Sequence, residues 1–214
     1  PLKPGFSVRF DVTILGCGAA TPTLRYQPTS QVLNIDERWI LLDAGEGVQK
    51  SLRSSRIPFQ KIDRIFISHM HGDHVLGLPG LVGSMNLLGR TKPLCIHGPL
   101  ALERWLMEGL RLTESYLKFN IEFHVNNPDE RTTIWENRDT KVESTPVKHR
   151  VEAYAYRFNW LPKLLNLRKP EIEGLKLTRT EAIQLKKGED IERTDGSLLK
   201  TKDLCHPIHS GLSY

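Results

Sequence analysis

Short apolar runs separated by turn-forming residues recur along most of the chain. Runs rich in β-branched and aromatic residues predict strands, and longer runs with apolar residues three or four positions apart predict helices. The predicted strands cover residues 10–15, 30–35, 39–42, 62–68, 94–97, 121–125, 141–147 and 153–158. The predicted helices cover residues 48–54, a stretch after His74 to about residue 88, and residues 100–112. Strands that alternate with helices in this way predict an α/β protein.

The pattern changes after Trp160. Between residues 160 and 187 the chain is rich in Lys and Arg and contains Pro162 and Pro170, which break helices and strands. We interpret this basic stretch as an insertion or arm. With 214 residues, the chain is long enough to form one domain or a large part of one.

Composition limits the cellular compartment and the kinds of partner but does not decide the function. There is no run of roughly 18 apolar residues that could span a bilayer, and Pro1 to Arg9 lacks the apolar stretch of a secretory signal. The three cysteines form no Cys-x-x-Cys pair, which favours a reducing compartment, so we expect a cytoplasmic protein without a membrane partner. A net charge of +5 is compatible with an RNA partner, but many proteins without one reach this value.

Four metal-capable side chains follow the predicted strand at residues 62–68, namely His69, His71, Asp73 and His74. His69 and His71 are two positions apart, so their rings can leave a strand end on the same side and converge on one divalent ion. Asp73 and His74 come after the turn at Gly72 and point elsewhere, which predicts a second ion nearby. Surface histidines on a polar loop are the alternative, but such a dense cluster at a strand end is costly unless it is liganded.

Several motifs around this cluster resemble those of the ribonuclease Z family. The pattern His-x-His-x-Asp-His after a strand is typical of the metallo-β-lactamase superfamily, and residues 71–81, 84–85 and 89–94 are similar to ribonuclease Z in particular. Residues 15–22, 42–47 and 186–190 extend the resemblance. It implies a metallo-β-lactamase αββα sandwich, with residues 1–214 forming one domain that is incomplete at its C-terminus and carries a tRNA-binding arm at 160–187.

The resemblance also assigns roles to individual residues. It implies that His149, in a Pro-x-x-His context, is the third ligand of a first zinc ion beside His69 and His71. Asp73 and His74 would ligate a second zinc ion, and Asp73 would accept a proton from the attacking water. Asp43 is either a turn former or helix cap, or a residue that orients a ligand histidine. His97, His124, His206 and His209 lack such support.

The implied activity is zinc-dependent endoribonuclease cleavage that removes the 3′ trailer from precursor tRNA and leaves a 3′-hydroxyl. The family further implies two zinc ions per complete subunit and a homodimer. The family's bridging Asp and final His are expected beyond Tyr214, so the chain alone is expected to be a poor catalyst. Alternatives are another hydrolase of this fold, an arylsulfatase or phosphodiesterase, or a non-catalytic RNA-binding half. Candidate tRNA-contacting residues in the arm are Lys163, Arg168, Lys169, Lys186 and Lys187.

Overall fold

The structure is a computed structural model that describes residues 9–137, 139–160, 165–206 and 212–214. Its strands are β1 (Phe10–Gly16), β2 (Ser30–Ile35), β3 (Arg38–Leu42), β4 (Ile62–Phe66), β5 (Leu94–Gly98), β6 (Ile121–Val125), β7 (Thr132–Glu136), β8 (Thr140–Pro146), β9 (Tyr154–Trp160), β10 (Ile191–Glu192), β11 (Leu198–Leu199) and β12 (Leu212–Ser213). Its helices are α1 (Val48–Ser54), α2 (Gly72–Val75), α3 (Leu78–Leu87), α4 (Ala101–Leu112), α5 (Lys169–Ile172), α6 (Arg179–Lys187) and α7 (Thr201–Leu204).

The first six strands form one sheet in sequence order, β1-β2-β3-β4-β5-β6. The pairs β1–β2 and β2–β3 are antiparallel, and a tight turn at Asp36 and Glu37 joins the second pair as a hairpin. From β3 to β6 the strands are parallel. Parallel neighbours need a crossover, and α1, α3 and α4 occupy these connections. The α/β architecture is therefore the one predicted.

The main hydrophobic core lies between this sheet and its helices. Alternate residues of β4 and β5 point to it, and Ile65 and Ile96 are fully buried there. The helices contribute Leu81 of α3 and Leu106 of α4, which are also fully buried. Each such side chain stabilises the fold by roughly 1.5–3 kcal/mol relative to full exposure. The packing fixes the carboxyl ends of the parallel strands, from which the candidate site projects.

The helix predicted after His74 to about residue 88 begins only at Leu78, and the short helix α2 precedes it, so this prediction was wrong in detail. Pro79 has no backbone N–H and cannot continue a helical ladder, but it is tolerated in the first turn of α3. The chain also passes very close to the loop after β3, where a Cβ at Gly77 would lie 2.1 Å from the Gly45 carbonyl oxygen. The break therefore separates the short helix of the metal-capable cluster from α3.

Strands β7, β8, β9 and β12 form a second sheet in the order β12-β9-β8-β7. Two of them, β8 and β9, match predicted strands to within about two residues, whereas β7 was not predicted. The chain forms two compact units, Pro1–Ile134 with Glu143–Tyr156 and Trp135–Val142 with Arg157–Tyr214. None of the helices in the described ranges is long and apolar enough to cross a membrane.

The basic stretch lies in the second compact unit, and residues 165–206 have a hydrophobic cluster of their own. Leu185 of α6 is fully buried in it, with Leu199 and Leu204 beside it. Helix α6 begins with a capping box between Thr178 and Glu181. The described part of the predicted arm is thus a folded module that continues well past residue 187.

Candidate metal centre

Three histidines from distant parts of the chain converge at the end of β4. His69 follows the strand, His71 caps α2, and His149 lies in the loop between β8 and β9. Their ligand nitrogens all lie within 4.8 Å of one another. His149 Nε2 is 3.3 Å from His71 Nδ1. Tetrahedral zinc with bonds of about 2.0–2.1 Å holds its ligand nitrogens about 3.3 Å apart, so this spacing fits a shared metal ion.

Backbone hydrogen bonds bring His149 to the cluster. The Tyr154 amide donates to the Ser68 carbonyl at 2.9 Å, and the Val147 amide donates to the Ala153 carbonyl at 3.0 Å. His69 also forms an isolated antiparallel bridge with Ala153. Backbone hydrogen bonds therefore fix both ends of the loop that carries His149, and one end is bonded directly to the strand end beside His69.

Asp73 and His74 lie on the other side of the cluster. The His74 ring centroid is 4.0 Å from that of His69, and His74 Nε2 is 3.6 Å from Asp73 Oδ2. The backbone amide of Ala20 donates to the same Asp73 oxygen at 2.8 Å. The structure thus brings together all five residues that the sequence indicated, and Asp73 and His74 can serve a second ion.

The buried carboxylate of Asp43 orients His74. Asp43 is only 3% exposed, and its Oδ2 accepts a hydrogen bond from His74 Nδ1 at 2.7 Å. A carboxylate can only accept, so His74 carries its proton on Nδ1 and keeps Nε2 free for a metal. Asp43 also adopts a φ of 56°, which suits a turn. The two interpretations of Asp43 therefore both hold, since it forms the turn and orients the ligand.

Ser68 extends this network to His69. Its amide and hydroxyl donate to the two Asp43 carboxylate oxygens at 2.7 and 2.9 Å. His69 Nδ1 is 3.0 Å from the Ser68 hydroxyl oxygen, which can accept a hydrogen bond from it because the hydroxyl donates its own hydrogen to Asp43. His69 Nε2 is then available as a ligand. Ser68 was not predicted from the sequence, because its only local signal is a hydroxyl directly before the first histidine.

Burial and neighbouring groups shift the pKa values of His69, His74 and Asp73. Burial, with the nearby charge of His74, lowers the pKa of His69 to about 4, so its ring is neutral near pH 7. Burial opposes protonation of His74, but the Asp43 hydrogen bond and the negative charges of Asp43 and Asp73 together outweigh it and raise the His74 pKa. Burial opposes ionisation of Asp73, yet the Ala20 amide and His74 lower its pKa overall. Asp73 is therefore an anion at neutral pH.

The loop after β3 packs tightly against the metal-capable loop. A Cβ at Gly45 would lie 2.5 Å from the Asp73 carbonyl oxygen and 2.7 Å from Pro28 Cβ, so no larger residue fits. The Ala44 amide donates to the His74 carbonyl at 2.8 Å. Close backbone contact thus fixes the position of α2.

An open cleft of about 420 Å³ runs beside the cluster. Its lining includes His71 and Asp73 from the cluster, Glu46 from the loop after β3, and the exposed guanidinium of Arg150. Arg150 follows His149 directly and is a cation that the sequence analysis did not single out. A substrate in this cleft would meet the metal ligands and a positive charge together.

The predicted tRNA-contacting residues lie apart from this cluster in the chain, in the second compact unit. Lys169 and Lys187 are exposed, Lys186 and Arg168 are half-buried, and Lys163 falls outside the described residues. Arg168 Nη1 lies 3.8 Å from Glu171 Oε1, and the Arg168 amide donates to the Leu204 carbonyl. Arg168 thus contributes to the fold of the module as well as to its charge.

Comparison with known proteins places this site in a family. A family model described as Anti-Pycsar protein Apyc1 matches residues 10–160, which include every residue of the cluster. The chain belongs to this family. Its curated relatives include ribonuclease Z of Porphyromonas gingivalis, which is 35% identical over 198 residues, or 92% of this chain and 65% of that protein. The chain thus spans about 65% of the length of this relative.

Solved structures agree on the fold. Human tRNase Z, short form, aligns with a TM-score of 0.63 and 28% identity, covering 69% of this chain and 64% of that one. The metallo-β-lactamase fold protein YhfI from Bacillus subtilis aligns with a TM-score of 0.54 and 22% identity, covering 69% of this chain and 56% of that one. The fold is that of the metallo-β-lactamases, and the resemblance to ribonuclease Z is confirmed.

Proposed function

We propose that the protein, at its natural full length, is a zinc-dependent endoribonuclease that removes the 3′ trailer from precursor tRNA and leaves a tRNA 3′-hydroxyl. The observation that carries this proposal is the convergence of three histidines with Asp73 at the edge of an open cleft. The identity of 35% to a ribonuclease Z over 92% of the chain supports the choice of substrate.

In this proposal His69, His71 and His149 hold a first zinc ion, and Asp73 and His74 contribute to a second. The spacing of the three histidine nitrogens fits the first ion, and the Asp43 and Ser68 hydrogen bonds leave the outer ring nitrogens of His74 and His69 free for ligation. Bound zinc would polarise a phosphate oxygen and lower the pKa of a water molecule.

Asp73 acts as the proton acceptor for the attacking water in this proposal. It lines the cleft, and it is ionised because the Ala20 amide and His74 lower its pKa against the effect of burial. The Ala20 amide holds one carboxylate oxygen at 2.8 Å, so the carboxylate has a fixed orientation. A fixed, ionised carboxylate beside the scissile phosphate meets the geometric requirement for a general base.

Arg150 supplies the phosphate contact. Its guanidinium lines the same cleft as His71 and Asp73 and is exposed. A guanidinium can donate two parallel hydrogen bonds to the oxygens of a phosphodiester. Arg150 therefore binds the substrate next to the reacting phosphorus rather than at a distance.

The module of residues 165–206 supplies further RNA contacts, as the arm prediction states. Lys169, Lys186 and Lys187 are the cations proposed to make these contacts, and contacts to phosphates from such residues are independent of sequence. Recognition by shape suits a tRNA substrate. We include in the proposal a cytoplasmic location and a homodimer, which the family resemblance implies.

A second candidate is hydrolysis of a small phosphodiester such as a cyclic nucleotide. The observation in its favour is that the matching family model covers residues 10–160. This range includes the whole cluster and cleft and ends before the module of residues 165–206. The match to ribonuclease Z covers 92% of the chain and so includes most of that module. The extent of the match therefore favours precursor tRNA.

The two candidates are separated by one assay on the full-length protein. With zinc present, we expect end-labelled precursor tRNA to be cut after the discriminator base, and we expect a chelator to stop the cleavage and added zinc to restore it. Cyclic nucleotides are tested in parallel at the same enzyme concentration. Turnover of cyclic nucleotides with the precursor tRNA left intact would overturn the tRNA proposal and support the second candidate.

A further inference from the structure

A second group of metal-capable side chains lies on β5 and β6, away from the loop that carries the histidine cluster. Cys95 on β5 pairs in register with Glu122 on β6, and His124 follows two positions later. Side chains two positions apart on a strand share a face, so all three project from the same side of the sheet. Their ligand atoms lie within 4.8 Å of one another.

This face is opposite the main core. The alternate residues Leu94 and Ile96 of β5 are fully buried in the core, and Ile121 and Phe123 of β6 pack against it. Cys95 is half-buried, whereas Glu122 and His124 are exposed. The group therefore combines fixed positions on paired strands with access from solvent.

A stack of rings holds His124 in place. The His97 ring lies between those of Phe66 and His124, with centroid distances of 4.6 and 4.5 Å and nearly parallel planes. His97 is 1% exposed, and burial, with the nearby charges of His124 and Arg64, lowers its pKa to about 3. His97 is thus a neutral platform that orients His124 without adding a cation.

The donor set matches a divalent ion of intermediate softness. Thiolate, imidazole and carboxylate are the three ligand types that zinc takes in proteins, and one thiolate and one carboxylate supply two negative charges. The charge of Arg64, whose strand position pairs with Cys95, acts in the opposite direction. Cys95 Sγ now donates to Glu122 Oε2 at 3.2 Å, and burial together with Glu122 raises the pKa of the thiol. A bound cation would take the place of that proton, which passes to solvent.

We propose that Cys95, Glu122 and His124 form a second, separate site for a divalent metal ion such as zinc, which links the edge strand β6 to β5. The site shares no residue with the cluster at His69, His71 and His149. Its metal binds the folded protein in preference to the unfolded chain, so occupancy stabilises the pairing of β6 with β5.

Cobalt titration of the metal-free protein tests this site directly. Cobalt bound to a thiolate gives a charge-transfer absorption that cobalt bound to histidine and carboxylate alone does not give, and the histidine cluster contains no cysteine. We expect this absorption on titration of the native chain and its loss in Cys95→Ser. In Glu122→Gln and in His124→Ala, at least about tenfold more cobalt should be needed to reach half of the signal.

The other two cysteines provide matched controls, since Cys17 is exposed and Cys205 is buried in the second unit. Cys17→Ser and Cys205→Ser should titrate like the native chain. Absence of the absorption at saturating cobalt, its survival in Cys95→Ser, or an unchanged titration in both Glu122→Gln and His124→Ala would overturn the proposal. Glu122→Gln and His124→Ala alter exposed residues and should therefore fold. They still test the proposal if Cys95→Ser does not fold.

Discussion

The two groups of metal-capable side chains differ in how their geometry is fixed. In the group at His69, His71 and His149, loops carry the ligands. Ser68 orients the His69 ring through a hydrogen bond, and Asp43 holds both Ser68 and the neighbouring His74. In the group at Cys95, Glu122 and His124, strand register places the ligands, and ring stacking orients the histidine. A ligand set on loops can open onto a substrate cleft, whereas one on two paired strands ties those strands together.

The comparison therefore assigns chemistry to the loop group and stability to the strand group. The loop group lines a cleft with Asp73 and Arg150 beside it. In the strand group the metal would be held by a thiolate and a carboxylate that already contact each other. The following predictions separate these two roles, beginning with the largest effect.

Loss of the Asp73 carboxylate should nearly abolish hydrolysis. We expect Asp73→Asn to lower the cleavage rate of precursor tRNA by roughly 10³-fold, because a general base contributes about 10²–10⁴-fold and Asp73 also serves the second metal. Tight binding of precursor tRNA, measured by fluorescence anisotropy, should remain. Two controls should retain full cleavage, Glu46→Gln in the same cleft and Cys95→Ser in the strand group. A parallel loss of binding would indicate a structural role for Asp73.

Loss of the Asp43 charge should weaken metal binding at the loop group alone. An outer residue that orients a ligand histidine typically changes metal affinity by about 10–100-fold, and we expect Asp43→Asn to fall in this range. Competition with a chromophoric zinc chelator measures it. Glu122→Gln should leave the affinity of the loop group unchanged. Equal zinc affinity in Asp43→Asn and the native chain would show that His74 needs no orientation by Asp43.

Arg150 should affect substrate binding more than the chemical step. We expect Arg150→Ala to raise KM for a phosphodiester by about tenfold, since one charge-assisted hydrogen-bonded contact contributes roughly 1.5 kcal/mol. Steady-state kinetics with the full-length protein measure KM and kcat separately. Lys148→Ala is the matched control, because Lys148 is an exposed cation in the same loop. If both variants raise KM equally, general charge and not the position of Arg150 is responsible.

The smallest effect should come from two lysines of the basic stretch. The double variant Lys186→Ala, Lys187→Ala should weaken precursor tRNA binding by a few-fold and reduce the salt dependence of binding, because a protein that neutralises fewer phosphates releases fewer counterions from the RNA. Hydrolysis of a small phosphodiester should not change. An unaltered salt dependence would argue that these lysines do not bind RNA.

Most of the loop group could be predicted from the sequence because its ligands lie close together along the chain. Four ligands within six positions after an apolar strand predicted the site, and all four lie together in the structure. His149 is about eighty positions away, and only the family resemblance indicated it. Asp43 remained ambiguous because a carboxylate at a turn has the same sequence signature whether or not it contacts a histidine.

The strand group could not be predicted because it depends on register between strands. Cys95 and Glu122 are 27 positions apart, and contact between them requires that β5 and β6 be parallel with this particular offset. The same limit applies to the module of residues 165–206. Its elements are short, and pairings such as the bridge between Leu167 and Cys205 join positions that no local pattern connects.

The zinc content of two variants tests the central claim that His69, His71 and His149 form a metal centre. The Cys95→Ser background removes the strand group, and equilibrium dialysis at low free zinc followed by elemental analysis counts the ions bound. We predict about one zinc ion per chain in Cys95→Ser and almost none when His149→Ala is added, because a two-histidine remnant binds weakly. Retention of the ion at unchanged affinity after loss of His149 would contradict the claim.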